Sequence, residues 1–515
     1  MVSKTENQAE FGKWRQLLFP IHGYELQKFI PLAIMFIFVG YNYSVLRIVK
    51  DSLVVNAPGS GAEAIPYLKL WGTLPAAILA SSIYIKLGTM LSRKALFYAT
   101  LAPFVLFYFA FNYFIYPNID VLHPTTSADW LESVLPAGLK GMVAMYRNWS
   151  YSLFYILSEL WGSIVMAVLF WSTANETCKT SEAKRFYGLL MMASNVLLGT
   201  TSSFISYANR GSWDESMSFI CNFVVVSGIL LAAFYWYLNE VVMKKPQFMI
   251  VEKKTKKKSK VKLGFAASMK ELAKSRYLAL LAMIILCYGV SINLIEVTWK
   301  HNVKVLFAGD KQAFLHFQSM CISVVGPLTA FFLFFGSANF LRIFGWRITA
   351  LITPVILLVT GALFFANLTF SEYMTGILAT IGTTPLFAAA WIGLLQNSIT
   401  KAGKYAFFDT TKETAYIPLD PDVRRTGKAA IDGVGSRLGK SGGSVINMAL
   451  IAMVGSIDAV TPYVAIVTLG IGIVWFVCVN KLAPMYEELV SHSREETAEA
   501  DSTRAAPNAT APSKA

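Results

Sequence analysis

Apolar runs of about 20 residues recur along the chain, each long enough for a helix to cross a bilayer. They fall near 29–49, 65–88, 95–116, 149–174, 184–207, 215–239, 277–299, 312–337, 345–367, 371–398, 429–455 and 458–481. Hydrocarbon offers no water to backbone amides, so segments of this kind are confined to helices that satisfy their own N–H and C=O groups. The twelve runs form two sets of six around residues 240–276, a divider whose middle reads EKKTKKKSKVK. The expectation is an all-α integral membrane protein: twelve transmembrane helices in two pseudo-symmetric six-helix halves, the plan of a secondary transporter.

The boundaries that follow are a cytoplasmic segment 1–28, an N-terminal half 29–239, a basic cytoplasmic linker 240–276, a C-terminal half 277–485 and a polar tail 486–515, expected to be disordered and cytoplasmic. The first 20 residues include Glu6 and Glu10 and lack a short apolar core with a cleavage site, so no cleaved presequence is expected. A weak echo links the halves: YNYS at Tyr41–Ser44 and YGVS at Tyr288–Ser291 occupy similar places in the first and seventh runs.

Only 15% of residues are charged, yet the net charge is +14. Its distribution decides between nucleic acid and topology. With the N-terminus inside, the outer loops hold Lys140, Arg147, Arg210, Lys300, Lys304 and Lys311, and the inner loops hold several times as many, even without the divider. That is the positive-inside pattern, so both termini are expected in the cytoplasm and no nucleic-acid partner is expected. The divider's lysines could also meet anionic membrane lipid. The five cysteines are scattered and read as small buried hydrophobes, and neither they nor the five histidines show metal-ligand spacing.

Ionisable residues inside a span are costly and normally face a cavity or a partner. Arg47, Lys50 and Asp51 share one face of the first span at spacings i, i+3 and i+4. They read either as a cavity wall or as a cap at the outer interface. Glu159 lies mid-span in FYILSELWGSIVMAVLFW, beyond reach of either interface, and Glu296 lies toward the end of the seventh span. Arg437 and Lys440 join them from the eleventh. Lys69 and Lys86 sit near span ends, where the ammonium can snorkel to water. Cations in spans one and eleven, with carboxylates in four and seven, describe an anion-binding cavity whose charges must be balanced when empty. Structural ion pairing, such as Lys50 with Glu296, is the alternative, and the two roles are compatible.

Residues 432–444, DGVGSRLGKSGGS, imitate a phosphate-binding loop. The pattern needs glycine five positions before Gly439, where Val434 stands, and no buried strand precedes it, so an NTPase fold is rejected. The glycines read as close helix packing of the small-xxx-small kind, Gly435 with Gly439, leaving Arg437 and Lys440 to supply charge. A membrane enzyme would need a catalytic or metal cluster. Asp409, Glu413, Asp420 and Asp422 are the one acidic group, and their spacing does not suit a metal. No catalytic residue, metal or cofactor is expected.

The blocks LRIVKDSLVV at 46–55, KYAFFDTTKETAYIPLD at 404–420 and GKAAIDGVGSRLGKSGGS at 427–444 resemble the signatures of the nucleotide transporter family. Its members are the ATP/ADP translocases of plastids and obligate intracellular bacteria, and this chain is most similar to the chlamydial ones. The resemblance implies a major-facilitator-like fold, a bacterial inner-membrane location, and import of host ATP in exchange for ADP, sometimes with phosphate. It also implies that Lys50, Glu159, Glu296 and Lys440 match charged positions essential in the family. Some members import other nucleotides with protons, so a proton-coupled nucleotide importer is the alternative.

The expected division of labour follows. ATP carries about four negative charges and ADP about three. Lys50 and Lys440, with Arg437 or Arg47, would clamp the phosphates; Glu159, Glu296 and Asp51 would pair with the cations when the site is empty. Tyr41, Tyr43 or Asn175 would hold the base. The stretch 409–420 is expected to be an ordered loop gating the inner mouth. One chain with two halves is expected to work as a monomer.

Overall fold

The computed structural model describes residues 19–248, 275–333, 337–420 and 436–505, together with positions 423, 427–428 and 431. Every element described in them is helical. The principal helices, in chain order, are α1 Gly23–Val55, α2 Ala64–Met90, α3 Arg93–Leu122, α4 Trp149–Thr177, α5 Thr180–Leu198 continued after a bend by Thr201–Ala208, and α6 Trp213–Val242. The second set is α7 Arg276–Leu306, α8 Lys311–Phe331, α9 Ser337–Thr369, α10 Pro385–Gly403, α11 Ser436–Val454 and α12 Ile457–Ala505.

Among the described residues, nine of these are long and apolar enough to cross a membrane, or ten if bent α5 counts as one span. The two that fall short correspond to the tenth and eleventh apolar runs of the sequence. In α11 the apolar stretch is only Leu438–Val454. The tenth run divides into Ser371–Ala379 and α10, whose second half is polar: Gln396, Asn397, Ser398 and Thr400 are fully buried. A helix that turns amides toward protein rather than lipid does not need an apolar composition there.

Local chemistry sets the ends. Ser212 Oγ accepts from Glu215 N and Glu215 returns a bond to Ser212 N, a capping box that starts α6. Asp310 accepts from Gln312 N and Ala313 N at the start of α8. Gly345, at φ 75°, breaks α9 near its beginning, a left-handed conformation that glycine alone adopts freely. The large apolar side chains left outside, such as Ile78, Leu79 and Ile83 on α2 and Ile466 on α12, face lipid.

Helix α1 packs on α4, α5 and α6, and α3 packs on α6; α7 packs on α11 and α12, and α9 on α10 and α12. The two sets meet where α8 lies against α5 and α1, and where α11 lies against the start of α2. Close backbone approach makes these seams possible. A β-carbon on Gly326 would meet Asn195 O at 2.4 Å, and one on Gly289 would meet the Gly439 backbone at 3.0 Å. Gly439 is thus a packing glycine, as read from the sequence, although its partner is Gly289 of α7; Gly435 lies outside the described residues.

Three helices run past the ends their composition suggested. Helix α1 continues through Lys50 and Asp51 to Val55, and α7 passes Trp299 to Leu306, because no breaker intervenes before Pro58 and Gly309. Helix α12 extends to Ala505, so residues expected to begin the disordered tail are helical; SREETAEA is rich in helix formers. The stretch expected as a loop at 409–420 is also mainly helix: α10 widens into a π-helical turn at Lys404–Phe408 and continues as Asp409–Ala415.

Candidate functional site: a charged cavity between the two halves

Charged side chains of α1, α2, α4, α7, α10 and its continuation, and α11 converge on one cavity of about 300 Å³. Its wall holds eight cations: Arg47, Lys50, Lys69, Lys300, Lys401, Lys404, Lys412 and Lys440. Three carboxylates line it, Glu159, Glu296 and Asp409, with Asp51 buried behind. Eight positive against four negative groups leave a formal excess of four.

Lys50 is 2% exposed and fully committed. Its Nζ lies 2.8 Å from Asp51 Oδ1, 3.1 Å from Glu159 Oε1 and 3.7 Å above the centre of the Tyr155 ring. Glu159 is reached from α4 immediately before that helix widens into a ten-residue π segment, Trp161–Phe170. Segments of that kind re-aim side chains and cluster at functional sites. The widened turn also seats Gly162 under Tyr43, where a β-carbon would lie 2.3 Å from the ring.

Glu296 is the hub of the second set. Lys401 Nζ lies 3.1 Å from it, Lys300 3.4 Å, Arg47 3.5 Å and Lys69 3.9 Å. Lys300 also meets Asp51 at 2.7 Å, so Asp51 is held by a lysine from each half, and a chain Glu159–Lys50–Asp51–Lys300–Glu296 crosses the seam. The alternative pairing of Lys50 with Glu296 is not the one formed. Lys69 donates to Asn293 Oδ1 at 2.6 Å, while Asn293 Nδ2 donates to Lys440 O at 2.8 Å, fixing the start of α11 beside α7. The Lys440 side chain is exposed to the cavity and forms no ion pair among the described residues.

The placements sort the sequence-derived candidates. Arg47, Lys50, Glu159, Glu296, Lys440 and Tyr43 line the cavity, and Asp51 sits directly behind it. The Arg437 side chain lies outside the described residues. Tyr41 and Asn175 are not brought to the cavity: Tyr41 packs against Phe204 and Phe223 with its hydroxyl on Thr200, and Asn175 accepts from Tyr187 OH. Lys69, expected to snorkel, is corrected to a cavity residue at 18% side-chain exposure, whereas Lys86 stays exposed.

Lys300, read from the sequence as an outer-loop cation, lines the cavity, as do Lys401, Lys404 and Lys412, which the sequence reading did not single out. A signal for them existed. Lys300 lies four residues after Glu296, one turn along a helix with no breaker. Positions 401, 404 and 412 recur on one helical face because nothing interrupts KYAFFDTTKETA.

At the end of the bundle carrying the C-termini of α1 and α7 the halves are latched. Ser52 Oγ donates to Lys311 O, Lys304 Nζ donates to Ser60 O, and Asn209 Nδ2 donates to Gln312 O. Toward the opposite end the cavity continues into a second chamber that reaches Phe36, Glu413 and Ile417.

A helical bundle of two halves with one deep charged chamber between them, latched at one end, defines a secondary transporter of the major-facilitator type. Its fold is similar to that of the nucleoside transporter NupG, with a TM-score of 0.56 over 88% of this chain and 99% of that one, at 13% identity. The chain belongs to the TLC ATP/ADP transporter family, whose model matches residues 4–486. It is 44% identical to ADP,ATP carrier protein 1 of Chlamydia muridarum over 502 residues, covering 96% of this chain and 95% of the relative. It is 39% identical to the chloroplastic ADP,ATP carrier protein 2 of Arabidopsis thaliana, covering 93% and 78%. The ADP,ATP carrier protein 1 of Rickettsia bellii is 35% identical, covering 96% and 100%.

Proposed function

We infer that this chain exchanges ATP from outside for ADP from inside by alternating access, and that the charged cavity is where the phosphates are held. The observation that carries the reading is the excess of cations in one cavity, drawn from both halves. Clustered ammonium groups repel one another unless an anion joins them, and about four negative charges on ATP match the formal excess. No bond is made or broken, so the site needs donors and charge rather than an acid, a base or a nucleophile.

Lys440, which forms no ion pair among the described residues, and Lys69, held by the Asn293 amide and only at 3.9 Å by Glu296, are the first contacts for an entering polyphosphate. Lys50 and Arg47 follow when phosphate oxygens compete with Glu159 and Glu296. Loosening those two carboxylates loosens the chain of pairs that ties α1 to α7 across the latched end. Bound nucleotide therefore favours release of the latch, and an empty, self-paired carrier stays closed there, which couples movement to exchange.

The remaining assignments form one consistent picture. Residues 29–239 and 277–485 are the two rocking halves joined by the basic linker, and both termini lie in the cytoplasm of a bacterium, with the protein in the inner membrane. Inorganic phosphate fits the same cations and can accompany ADP, anionic lipid meets the linker, and the carrier works as a monomer.

The test is uptake of labelled ATP into vesicles preloaded with ADP. Lys50→Ala and Lys440→Ala are expected to abolish uptake while the protein remains in the membrane. Normal uptake by both variants would end the phosphate-clamp reading. Stimulation by internal ADP separates exchange from proton-coupled import, which internal ADP would not stimulate.

A further inference from the structure

The connection between α3 and α4, residues 123–148, is built rather than loose. It folds into two short helices, Thr125–Val134 and Lys140–Arg147, at the latched end of the bundle. Connections this long inside a folded domain usually carry a function of their own. From the sequence Arg147 reads as an outer-loop cation, and such a side chain ordinarily extends into water. Here the residue is 7% exposed.

Three neighbours fix the guanidinium. Nη1 lies 2.5 Å from Asp129 Oδ1 and Nη2 lies 2.9 Å from Glu132 Oε2, two carboxylates one turn apart on the first short helix. Nε has no hydrogen-bond partner among the described residues and lies over Gly59, in the turn that follows α1. A β-carbon on Gly59 would come 2.8 Å from Nε and 3.2 Å from Cζ, and its φ is +61°. Conformation and space therefore both demand glycine at that position. The next residue, Asn148, donates to Pro58 O at 3.0 Å. Arg147 and Asn148 together mould the turn.

That turn meets the other half of the molecule. Ser60 O accepts from Lys304 Nζ of α7. The connection makes a second crossing, where a β-carbon on Gly138 would lie 2.5 Å from Ala452 Cα of α11. Gly138 O also accepts from Tyr67 OH, at the start of α2. On the N-terminal side both crossings are made by backbone, so each depends on how its segment is held. Arg147 joins the two segments, ion-paired to one and seated on the other.

We propose that Arg147 is a positioning residue of the gate at the latched end, binding the 56–60 turn and the 123–148 connection into one unit. The proposal rests on the alternating-access reading above. Opening this end has to separate Ser60 from Lys304 and Gly138 from Ala452. With Arg147 in place the two contacts form and break together, which gives a gate with two states rather than a frayed edge. The geometry specifies arginine. A lysine ammonium is a point donor that cannot hold two carboxylates in a planar fork while lying flat on a glycine. The Asp129 and Glu132 side chains are 68% and 34% exposed, so removing Arg147 strands no buried carboxylate.

The experiment uses the full chain in membrane vesicles, with Cys321 replaced by serine and one reporter cysteine at a time, labelled by a membrane-impermeant maleimide. Ser52→Cys reports the latched end, and Ile417→Cys reports the mouth of the second chamber at the opposite end. Arg147→Ala is expected to raise the Ser52→Cys rate about tenfold while the Ile417→Cys rate does not rise. Arg147→Lys should leave most of that increase in place, and Gly59→Ala, which drives the guanidinium off the turn, should match Arg147→Ala. Asp129→Asn combined with Glu132→Gln leaves the buried side chain intact and should raise the Ser52→Cys rate by a smaller factor, about threefold. Loosening of the whole fold would raise both reporter rates, and that result overturns the assignment. An unchanged Ser52→Cys rate in Arg147→Ala, or full rescue by Arg147→Lys, overturns it too. The expected labelling in a carrier that exchanges no nucleotide keeps the gate and overturns the exchange reading alone.

Discussion

Removing Lys300 tests how the site is wired to the latch. Its ammonium is 3% exposed and lies 2.7 Å from Asp51 and 3.4 Å from Glu296, so it joins the buried carboxylate of α1 to α7. Breaking a buried pair by deleting one partner costs about 3–5 kcal/mol when the remaining charge is left alone. Asp51 is not left alone, because Lys50 stays 2.8 Å away. The loss should therefore fall near the lower end or below it, about 2 kcal/mol, or about thirtyfold in an equilibrium constant. In Lys300→Ala that loss is felt only while the halves are closed at this end, so the closed form becomes about thirty times less favoured against the open one. A reporter is available at Ser52, fully buried and bonded across the seam to Lys311. Ser52→Cys, in a background where cavity-lining Cys321 is serine, should label slowly with a membrane-impermeant maleimide added on the side of the latched end. Adding Lys300→Ala should raise the labelling rate by about the same factor. Adding Asp51→Ala as well should change the rate little further, because the two side chains act across the seam as one pair. Unchanged labelling in Lys300→Ala would refute the wiring, as would a double variant whose labelling rises by a further factor of the same size.

Two further outcomes follow from the same geometry. Glu296→Gln leaves Lys401, Lys300, Arg47 and Lys69 crowded without their shared carboxylate, so the purified variant should melt earlier than wild type, and ATP should restore more of its melting temperature than it adds to wild type. Lys69→Ala should cut ATP exchange at least tenfold, whereas Lys86→Ala, at an exposed position on the same helix, should leave exchange within about twofold of wild type when uptake is normalised to protein in the membrane.

Mid-span charge was the most legible signal, because lipid gives it one physical reading. Glu159 could only face an interior, and Glu296, Lys50 and Lys440 line the same cavity from three other helices. Helix number was less legible for the same reason in reverse. The run 371–398 reads as one span, but in the structure it divides into Ser371–Ala379 and α10, and α10 extends into a polar stretch whose Gln396 and Asn397 are buried against protein. The cations near span ends were misread as interfacial because apolar runs mark where lipid ends, not where the helix ends. Helix α7 continues past Trp299, whose indole packs on Gly393 and donates to Ala390 O, and this carries Lys300 inward rather than into a loop. Lys401, Lys404 and Lys412 gain their place because the α10 helix does not stop at Gly403. The base contacts were the least legible: Tyr41 lies away from the cavity against Phe204 and Phe223, and Asn175 is exposed and accepts from Tyr187 OH. Which neighbours a side chain meets is a property of three-dimensional surroundings, which periodicity and composition do not report.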